Sequence, residues 1–434
     1  MASIAQTLFS WQHVDAKDDL NRLKLVMENI PDESLMRRLE LERGGGRDEY
    51  PVRAVWNSLL AGVVFQHPSI ASLRRELLRN ASLRQACGFD VVRGMDAVPS
   101  ASSYSRFLAS LMRHRDEVGA IFESLVESLY KELPGFGRDL AIDGMAIDSH
   151  ARRRGKHSAL PPSDGRRDID ADIGVKKVIE RDTYKEVKSW FGYKLHLMID
   201  ARYELPVARS VTKASRGEQP EAHLLVDHVS ERHPYILDDC EHFIGDRGYD
   251  GDALSIRLWD DHDIKPVIDK RDNWKSGETR RVGRLSNVVY DQRATVYCYP
   301  RKGERKRMAY GGFEKDRDAL KYLCPAKHYG CECPDRDSCP VKGSARIYLN
   351  EDRRIFKPLP YSSYKWDRIY ARRSSVERTN SRLDGSFGLE KHFIRGLNKM
   401  RLKVDLALIV MSSMALGQAR ENRMDCIRSL TQVA

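Results

Sequence analysis

AIDGMAID, at residues 141–148, is the stretch of sequence that decides the fold, because its apolar residues form a strand pattern around embedded aspartates. WFGYKLHLMIDA (190–201) and ELPVARSVTKAS (204–215) have the same character, and the short turn between them predicts an antiparallel hairpin. A helical period follows at residues 220–233. Next come a strand ending in HFIGDRGYDG (242–251), a helix around 252–260 and the strand IKPVIDKR (264–271).

This order of three strands, helix, strand, helix and strand predicts an α/β fold with the mixed sheet of a ribonuclease H-like core. Before it, residues 1–135 have helical spacing, with Pro51 opening one helix and Ser69 and Ser100 capping two others, and form an N-terminal helical domain. We assign residues 136–272 to the first part of the core. Residues 273–364 form an irregular or β-rich insertion, and residues 365–434 are helices that complete the core.

The charge of the chain indicates a polyanionic partner. Its 434 residues include 74 Lys plus Arg against 63 Asp plus Glu, a formal net charge of +11. Basic residues cluster in HARRRGKH (150–157) and PRKGERKR (300–307), which suits nucleic acid but also suits solvated loops. The first residues have no export signal, and the longest apolar run, at 404–417, is shorter than the roughly 20 residues that span a bilayer. We therefore expect a soluble cytoplasmic protein without a membrane partner.

Two carboxylates occur where a charge is costly. Asp143 lies inside an apolar strand, and Asp246 ends a second strand beside Gly248. A divalent cation such as Mg²⁺ would offset the desolvation of both groups, although each aspartate alone could equally cap a turn. Asp148 and Asp200 are competing candidates, and strand alternation places Asp148 on the face opposite Asp143.

Tyr370, Arg373 and Glu377 are spaced three and four residues apart on a helix predicted from Trp366 to Arg382, so they share one face. The glutamate could complete a metal site, the arginine could neutralise a phosphate and the tyrosine could stack or bind phosphate. The alternative is an ordinary Arg–Glu pair on an exposed helix.

On these residues the chain resembles bacterial insertion-sequence DDE transposases of the group marked by a Tyr, Arg, Glu, Lys signature. Tyr370, Arg373 and Glu377 match the first three signature positions. Asp143 with Gly144 resembles the first acidic motif of the group, and Asp246 with Gly248 and Tyr249 resembles the second. The resemblance covers about residues 140–393, and YPVRAVWNSLL (50–60) and VPSASSYSRF (98–107) are similar to the usual N-terminal domain.

The chain departs from the group at one position. Asp384 stands where the signature has lysine, so that DNA contact is not carried over, and Arg378, Arg382 and Lys391 are the nearby substitutes.

The resemblance implies a catalytic triad of Asp143, Asp246 and Glu377 that holds two Mg²⁺ or Mn²⁺ ions. It implies cleavage of transposon ends at their terminal inverted repeats and strand transfer into target double-stranded DNA. It also implies a homodimer that pairs two ends and acts at the bacterial nucleoid. The N-terminal helices could form a helix-turn-helix-like reader or a bundle that only packs or dimerises. We expect DNA contacts from six residues: Tyr370, Arg373, Arg378, Arg382, Tyr104 and Arg106.

Cysteines crowd in CPAKHYGCECPDRDSC (324–339). Cys324, Cys331, Cys333 and Cys339, with His328 as an alternative ligand, could hold one structural zinc, or could be free thiols in a surface insertion. The remaining cysteines are expected to be scattered thiols: Cys87, Cys240, Cys298 and Cys426.

Two other functions fit the same features. A non-catalytic, domesticated DNA-binding protein would keep the basic helices without a working site. A nuclease with the same core would cut DNA and never join it.

Overall fold

The computed structural model describes residues 18–44, 49–90, 92–151, 167–180, 184–271, 273–275, 277–283 and 285–429. The start of the chain, where no export signal was expected, lies outside these residues. So does most of the basic cluster that begins at His150.

The N-terminal part is helical, as predicted. Its helices are α1 (Asp18–Asn29), α2 (Glu33–Arg43), α3 (Val52–Val64), α4 (Ile70–Arg79), α5 (Ala81–Cys87), α6 (Ala101–Arg113) and α7 (Arg115–Glu132). The predicted starts are confirmed: α3 follows Pro51, and the hydroxyls of Ser69 and Ser100 each accept a backbone N–H at 3.1 Å, which satisfies donors that the first turn leaves free.

The central sheet has the predicted ribonuclease H-like order. Its strands are β1 (Asp139–Asp148), β2 (Asp172–Glu180), β3 (Tyr184–Asp200), β4 (Leu205–Lys213), β5 (His242–Gly245) and β6 (Lys265–Ile268). β3 runs antiparallel to β1 and β4, whereas β5 runs parallel to β1 and β6 parallel to β5. This arrangement of three antiparallel strands continued by two parallel ones confirms the fold class.

The sheet also has a part that the sequence analysis missed. β2 pairs with the first half of β3, before the point where β4 takes over, so the hairpin extends the sheet beyond the core. Only the second half of β3, from Trp190, was predicted, because only that half has a continuous apolar pattern.

Helices α8 (Glu218–Arg232), α9 (Pro234–Asp239) and α10 (Asp252–Asp260) follow β4 and β5. The long helix α14 (Leu397–Arg420) packs against α7, α1, α3 and β4. It is long and apolar enough to cross a membrane, but 89% of its most apolar stretch is buried inside the protein. Its Asp405 forms an ion pair of 2.9 Å with Arg209 on β4.

The N-terminal helices do not have a core of their own. Buried apolar side chains of these helices, of the sheet and of α14 form one continuous cluster, which includes Trp56, Phe122, Met198 and Leu408. Burial of each such side chain contributes about 1.5–3 kcal/mol. The helices and the sheet are therefore expected to fold together.

The predicted insertion is β-rich. One sheet contains β7 (Arg280–Val282), β8 (Leu285–Tyr290), β9 (Val296–Cys298) and β10 (Lys306–Arg307), and another contains β11 (Ala309–Glu314), β12 (Ala319–Leu323) and β13 (Ser344–Tyr348). Helix α11 (Pro325–Tyr329) lies between β12 and β13. The insertion has a separate hydrophobic cluster, with Val288, Tyr322 and Phe356 among its members.

The helix predicted from Trp366 to Arg382 is not continuous, so that prediction was wrong in detail. α12 (Tyr364–Tyr370) and α13 (Ser374–Gly385) are separated by a 3₁₀ turn at Ala371–Arg373. The tighter turn changes the direction of the side chains that follow it.

Candidate active site

Asp143 and Asp246 are neighbours because of the register of two parallel strands. Ala141 on β1 pairs with Ile244 on β5. Asp143 and Asp246 each lie two residues further along the chain. Asp143 lies within β1 and Asp246 follows β5 directly with an extended backbone, so the two carboxylates lie at the same end of the sheet, close enough for the charge of Asp246 to act on Asp143.

The two carboxylates repel each other in a poorly solvated place. Asp143 is only 9% exposed, and burial raises its pKa to about 6, with a further contribution from the negative charge of Asp246. Lys176, the backbone N–H of Gly144 and Arg373 act in the opposite direction. A cation between the carboxylates would relieve both the repulsion and the desolvation.

Helix α13 brings the third acidic residue towards this pair. Its buried Asn380 donates a hydrogen bond of 3.2 Å from Nδ2 to Asp143 Oδ2. Glu377 lies one turn earlier on the same helix face. The Glu377 carboxylate is exposed and accepts a hydrogen bond of 2.6 Å from Arg373, whose guanidinium also interacts with the charge of Asp143.

Tyr370 completes this side of the site. Its ring stacks on Trp366, with centroids 4.5 Å apart and an interplanar angle of 15°, and the guanidinium of Arg373 lies 5.9 Å from its centroid. Burial raises the pKa of Tyr370 to about 12, and the charges of Asp269 and Asp246 contribute to the rise. One face of the ring is therefore already occupied.

Two residues of the site were missed by the sequence analysis: Asn380 and Glu218. Glu218, the first residue of α8, lies between the two acidic motifs. A Cβ added to Gly144 would lie 3.3 Å from its Oε1, and one added to Gly248 would lie 1.7 Å from its Oε2. The glycines that follow Asp143 and Asp246 in the chain thus leave space for this carboxylate.

The donor set fits a hard divalent ion. Carboxylate oxygens converge here. Two buried oxygens of this site, Asn380 Oδ1 and Tyr249 Oη, have no hydrogen-bond partner among the described residues. Tyr249 lies within the electrostatic reach of Asp143 and Asp246. No three His, Cys, Asp or Glu side chains among the described residues are spaced to hold a metal ion, and the Glu377 carboxylate is held by Arg373.

The competing aspartates lie elsewhere. Asp148 is exposed at the end of β1. Asp200 is fully buried at the far end of β3, where it accepts backbone N–H groups of Gly137, Arg202 and Tyr203 at 2.6–2.9 Å. Asp200 therefore organises the β3–β4 turn.

The arginines that follow Glu377 have protein partners. Arg378 and Arg382 both pair with the buried Glu204, at 2.6 and 3.3 Å, and Arg382 also donates to the carbonyl of Arg428. Asp384, at the position of the signature lysine, is half-buried, and burial raises its pKa to about 6. Lys391 is exposed.

The prediction that Tyr104 contacts DNA is wrong. Its side chain is fully buried, and its hydroxyl shares a hydrogen bond of 2.7 Å with Ser58. The helical period of α6 turns Tyr104 inwards and leaves Arg106, two residues later, exposed.

The model of the transposase DDE domain family matches residues 139–412, which is more than half of the chain. The chain belongs to this family. It is therefore a DNA transposase, an enzyme that cuts and joins DNA with the help of divalent metal ions. The match begins at the first residue of β1 and ends within α14, so it includes both acidic motifs, the insertion and α13. The family predicted from the sequence is confirmed at this level.

Other comparisons add to this result. A family model described as a transposase domain (DUF772) matches residues 12–110 of the transposase. No curated protein matches the chain. A cryo-EM structure of a piggyBac transposase synaptic complex with hairpin DNA aligns with 97% of this chain and 80% of its own, at 12% identity and a TM-score of 0.38.

Proposed function

We propose that Asp143, Asp246 and Glu377 together hold two Mg²⁺ or Mn²⁺ ions at which this transposase cleaves its transposon ends and joins them to target DNA. The observation that supports this assignment is the parallel register of β1 and β5, which carry Asp143 and lead into Asp246, together with the hydrogen bond from Asn380 that joins the helix of Glu377 to Asp143. When bound, the ions would supply Lewis-acid activation of the attacking oxygen and charge neutralisation of the leaving oxygen.

The residues around the acids position them. Asn380 fixes the rotamer of Asp143 by donating to Oδ2, which leaves Oδ1 for a ligand. Glu218 adds negative charge beside Gly144 and Gly248 and favours the accumulation of cations. We assign Asn380 a positioning role, since its contact is with Asp143.

Arg373 links DNA binding to assembly of the site. Its guanidinium holds Glu377 at 2.6 Å and lies beside Tyr370. A DNA phosphate carries one negative charge, as a carboxylate does, and offers two oxygens to the planar fork of an arginine, so it can compete with Glu377 for Arg373. Arrival of DNA would draw Arg373 away and release Glu377 towards the metal ions.

The DNA substrate is proposed to be the pair of terminal inverted repeats and then the target duplex. Binding to both repeats at once requires two active sites, which favours a homodimer in the synaptic complex. Arg106 on α6, with its exposed guanidinium, is the N-terminal residue that we retain as a DNA contact, and Arg378 keeps part of its side chain exposed beside the site. Such an enzyme would work in the cytoplasm, at the nucleoid.

The assignment is tested with five variants of the full-length transposase: Asp143→Asn, Asp246→Asn, Glu377→Gln, Asp148→Asn and Asp200→Asn. Cut and joined products are measured separately on DNA that carries the element's own ends, with Mg²⁺ and with Mn²⁺. The first three should lose cleavage by at least about a hundredfold and keep DNA affinity, because removal of a negative charge does not weaken attraction to phosphate.

Asp148→Asn is the matched control and should cut at near the wild-type rate, whereas Asp200→Asn should be far milder than the three acidic variants, with any loss following from the β3–β4 turn that Asp200 organises. Loss of cleavage in Asp148→Asn together with activity in Asp143→Asn would reassign the first acid. Cut products without joined products from the wild type would show that this copy acts as a nuclease.

A further inference from the structure

Four cysteines of the insertion meet at one small cavity, and they are not the four that the sequence suggested. The cavity has a volume of about 20 Å³. Its lining includes four thiols: Cys298, Cys324, Cys333 and Cys339. Cys331 and His328 are exposed and do not line it. Cys298, expected to be a scattered thiol, thus takes the place expected for Cys331.

These thiols come from three separate parts of the insertion. Cys298 ends β9, the strand between β8 and β10, and Cys324 directly follows β12 of the other sheet. Cys333 and Cys339 belong to the stretch between α11 and β13, which contains turns but neither helix nor strand. A cross-link at this point would join both small sheets and this irregular stretch.

The surroundings of the cavity suit a bound cation with thiolate ligands. The side chain of Asn287 on β8 donates a hydrogen bond of 3.2 Å from Nδ2 to Cys339 Sγ, a contact that supports a thiolate ligand. Four thiolates and a divalent ion together carry a net charge of about −2. Lys306 and Arg336 also line the cavity, and their two positive charges would balance it. Asp335 lines it as well, but its carboxylate accepts the backbone N–H of Arg301.

The thiols influence one another electrostatically. Burial raises the pKa of the Cys298 thiol to about 11, and the neighbouring thiols of Cys324, Cys333 and Cys339 contribute to the rise. Among the described residues the sulfurs are not yet spaced to hold a metal ion, so binding requires a small inward movement. Two of the four sulfurs lie in the irregular stretch, outside any helix or strand.

We propose that the insertion binds one structural zinc ion through four thiols: Cys298, Cys324, Cys333 and Cys339. Four thiolates form the closed tetrahedral shell of a structural zinc site, and the cavity is close to the size of a single small sphere. The ion would hold together a module whose hydrophobic cluster is small and separate from the main core. This site is distinct from the acidic one and has no part in the chemistry.

Zinc content distinguishes the two ligand sets. Full-length wild-type protein, purified without chelator, should contain about one zinc per chain by elemental analysis. Cys331→Ser should retain it, whereas Cys298→Ser should lose most of it. The reverse pattern, or less than about half an equivalent of zinc in wild-type protein with no uptake of added Zn²⁺ or Co²⁺, would overturn the proposal.

A second measurement avoids variants that fail to fold. Wild-type protein is alkylated with N-ethylmaleimide and the modified cysteines are identified by peptide mass spectrometry. Cys331 should react at once, while Cys298 and Cys339 should react only after a chelator removes the metal. The buried Cys87 is the internal control and should stay protected in both states. Equal reactivity of Cys298 and Cys331 before chelation, or a disulfide between any of the four thiols, would refute the site.

Discussion

Asp143→Asn should make the metal-free transposase more stable while destroying its activity. Burial and the charge of Asp246 raise the pKa of Asp143 from an ordinary 3.8 to about 6. One pKa unit corresponds to about 1.4 kcal/mol, so ionised Asp143 costs about 3 kcal/mol of folding free energy at pH 8. Asparagine removes this cost and still accepts the hydrogen bond from Asn380.

The sign of the pH dependence follows from proton binding. Between about pH 4 and pH 6 the folded wild-type chain keeps the Asp143 proton and the unfolded chain loses it, so stability of the wild type falls as pH rises. Asparagine has no proton to lose at this position, so the stability of the variant does not fall in this way. The gain in free energy of unfolding of the variant over the wild type should therefore be near zero below about pH 4, roughly half of the full value at pH 5, and complete at pH 8.

Differential scanning calorimetry at pH 5 and pH 8 measures this difference. For a chain of this length, an unfolding entropy of about 2.1 cal/mol/K per residue converts 1 kcal/mol into about 1 °C, so the variant should melt about 3 °C higher at pH 8 without metal. Mg²⁺ should raise the melting temperature of the wild type only, because the variant has lost a ligand.

Asp148→Asn is the matched control and should change neither melting temperature nor cleavage, since this aspartate is exposed. An Asp143→Asn protein that is no more stable at pH 8, or that gains equally at pH 5 and pH 8, would refute the reasoning from burial and repulsion. Normal DNA cleavage by that variant would refute the catalytic assignment instead.

Four further outcomes are expected. Gly248→Ala should reduce cleavage, because the new Cβ would lie 1.7 Å from Glu218 Oε2 and 2.9 Å from Asp246 Oδ1, so that both carboxylates would have to move; unchanged turnover would contradict this. Tyr104→Phe should lower stability by about 1 kcal/mol without changing DNA affinity, whereas Arg106→Ala should weaken DNA binding and reduce its salt dependence, as titrations at several salt concentrations would reveal. Deletion of residues 1–135 should leave an unfolded remainder by circular dichroism, since those helices share the main core.

Local patterns in the sequence were sufficient for the core strands of the sheet, although not for β2 and the first half of β3, and for the positions of the two aspartates. The strands around Asp143 and Asp246 are apolar and bounded by turns, and the order of strands and helices then determines which strands are neighbours. The positions of both carboxylates follow from that order, because a parallel pair of strands aligns the residues at equivalent positions. This is the part of the site that depends least on side-chain packing.

The rest depends on packing between distant parts of the chain. Asn380 and Glu218 reach the site only because α13 and α8 lie against the sheet, and nothing in the local sequence of either residue indicates it. Cys298 is 26 positions before Cys324, so its proximity to the other thiols comes from the folding of two small sheets together. Tyr104 was misassigned because an aromatic residue on an amphipathic helix has the same appearance whether it faces the core or solvent.

The continuous core of helices and sheet restricts how this enzyme can evolve. A domain with its own core can be exchanged between proteins as a cassette, but the helices before β1 bury their side chains against α14 and the sheet, and a foreign replacement would have to match that surface. New specificity for DNA ends is therefore expected to arise by substitution at exposed positions such as Arg106. The insertion has a hydrophobic cluster separate from the main one and shares it with Trp259 on α10, so a change in the insertion has less of the rest of the chain to match.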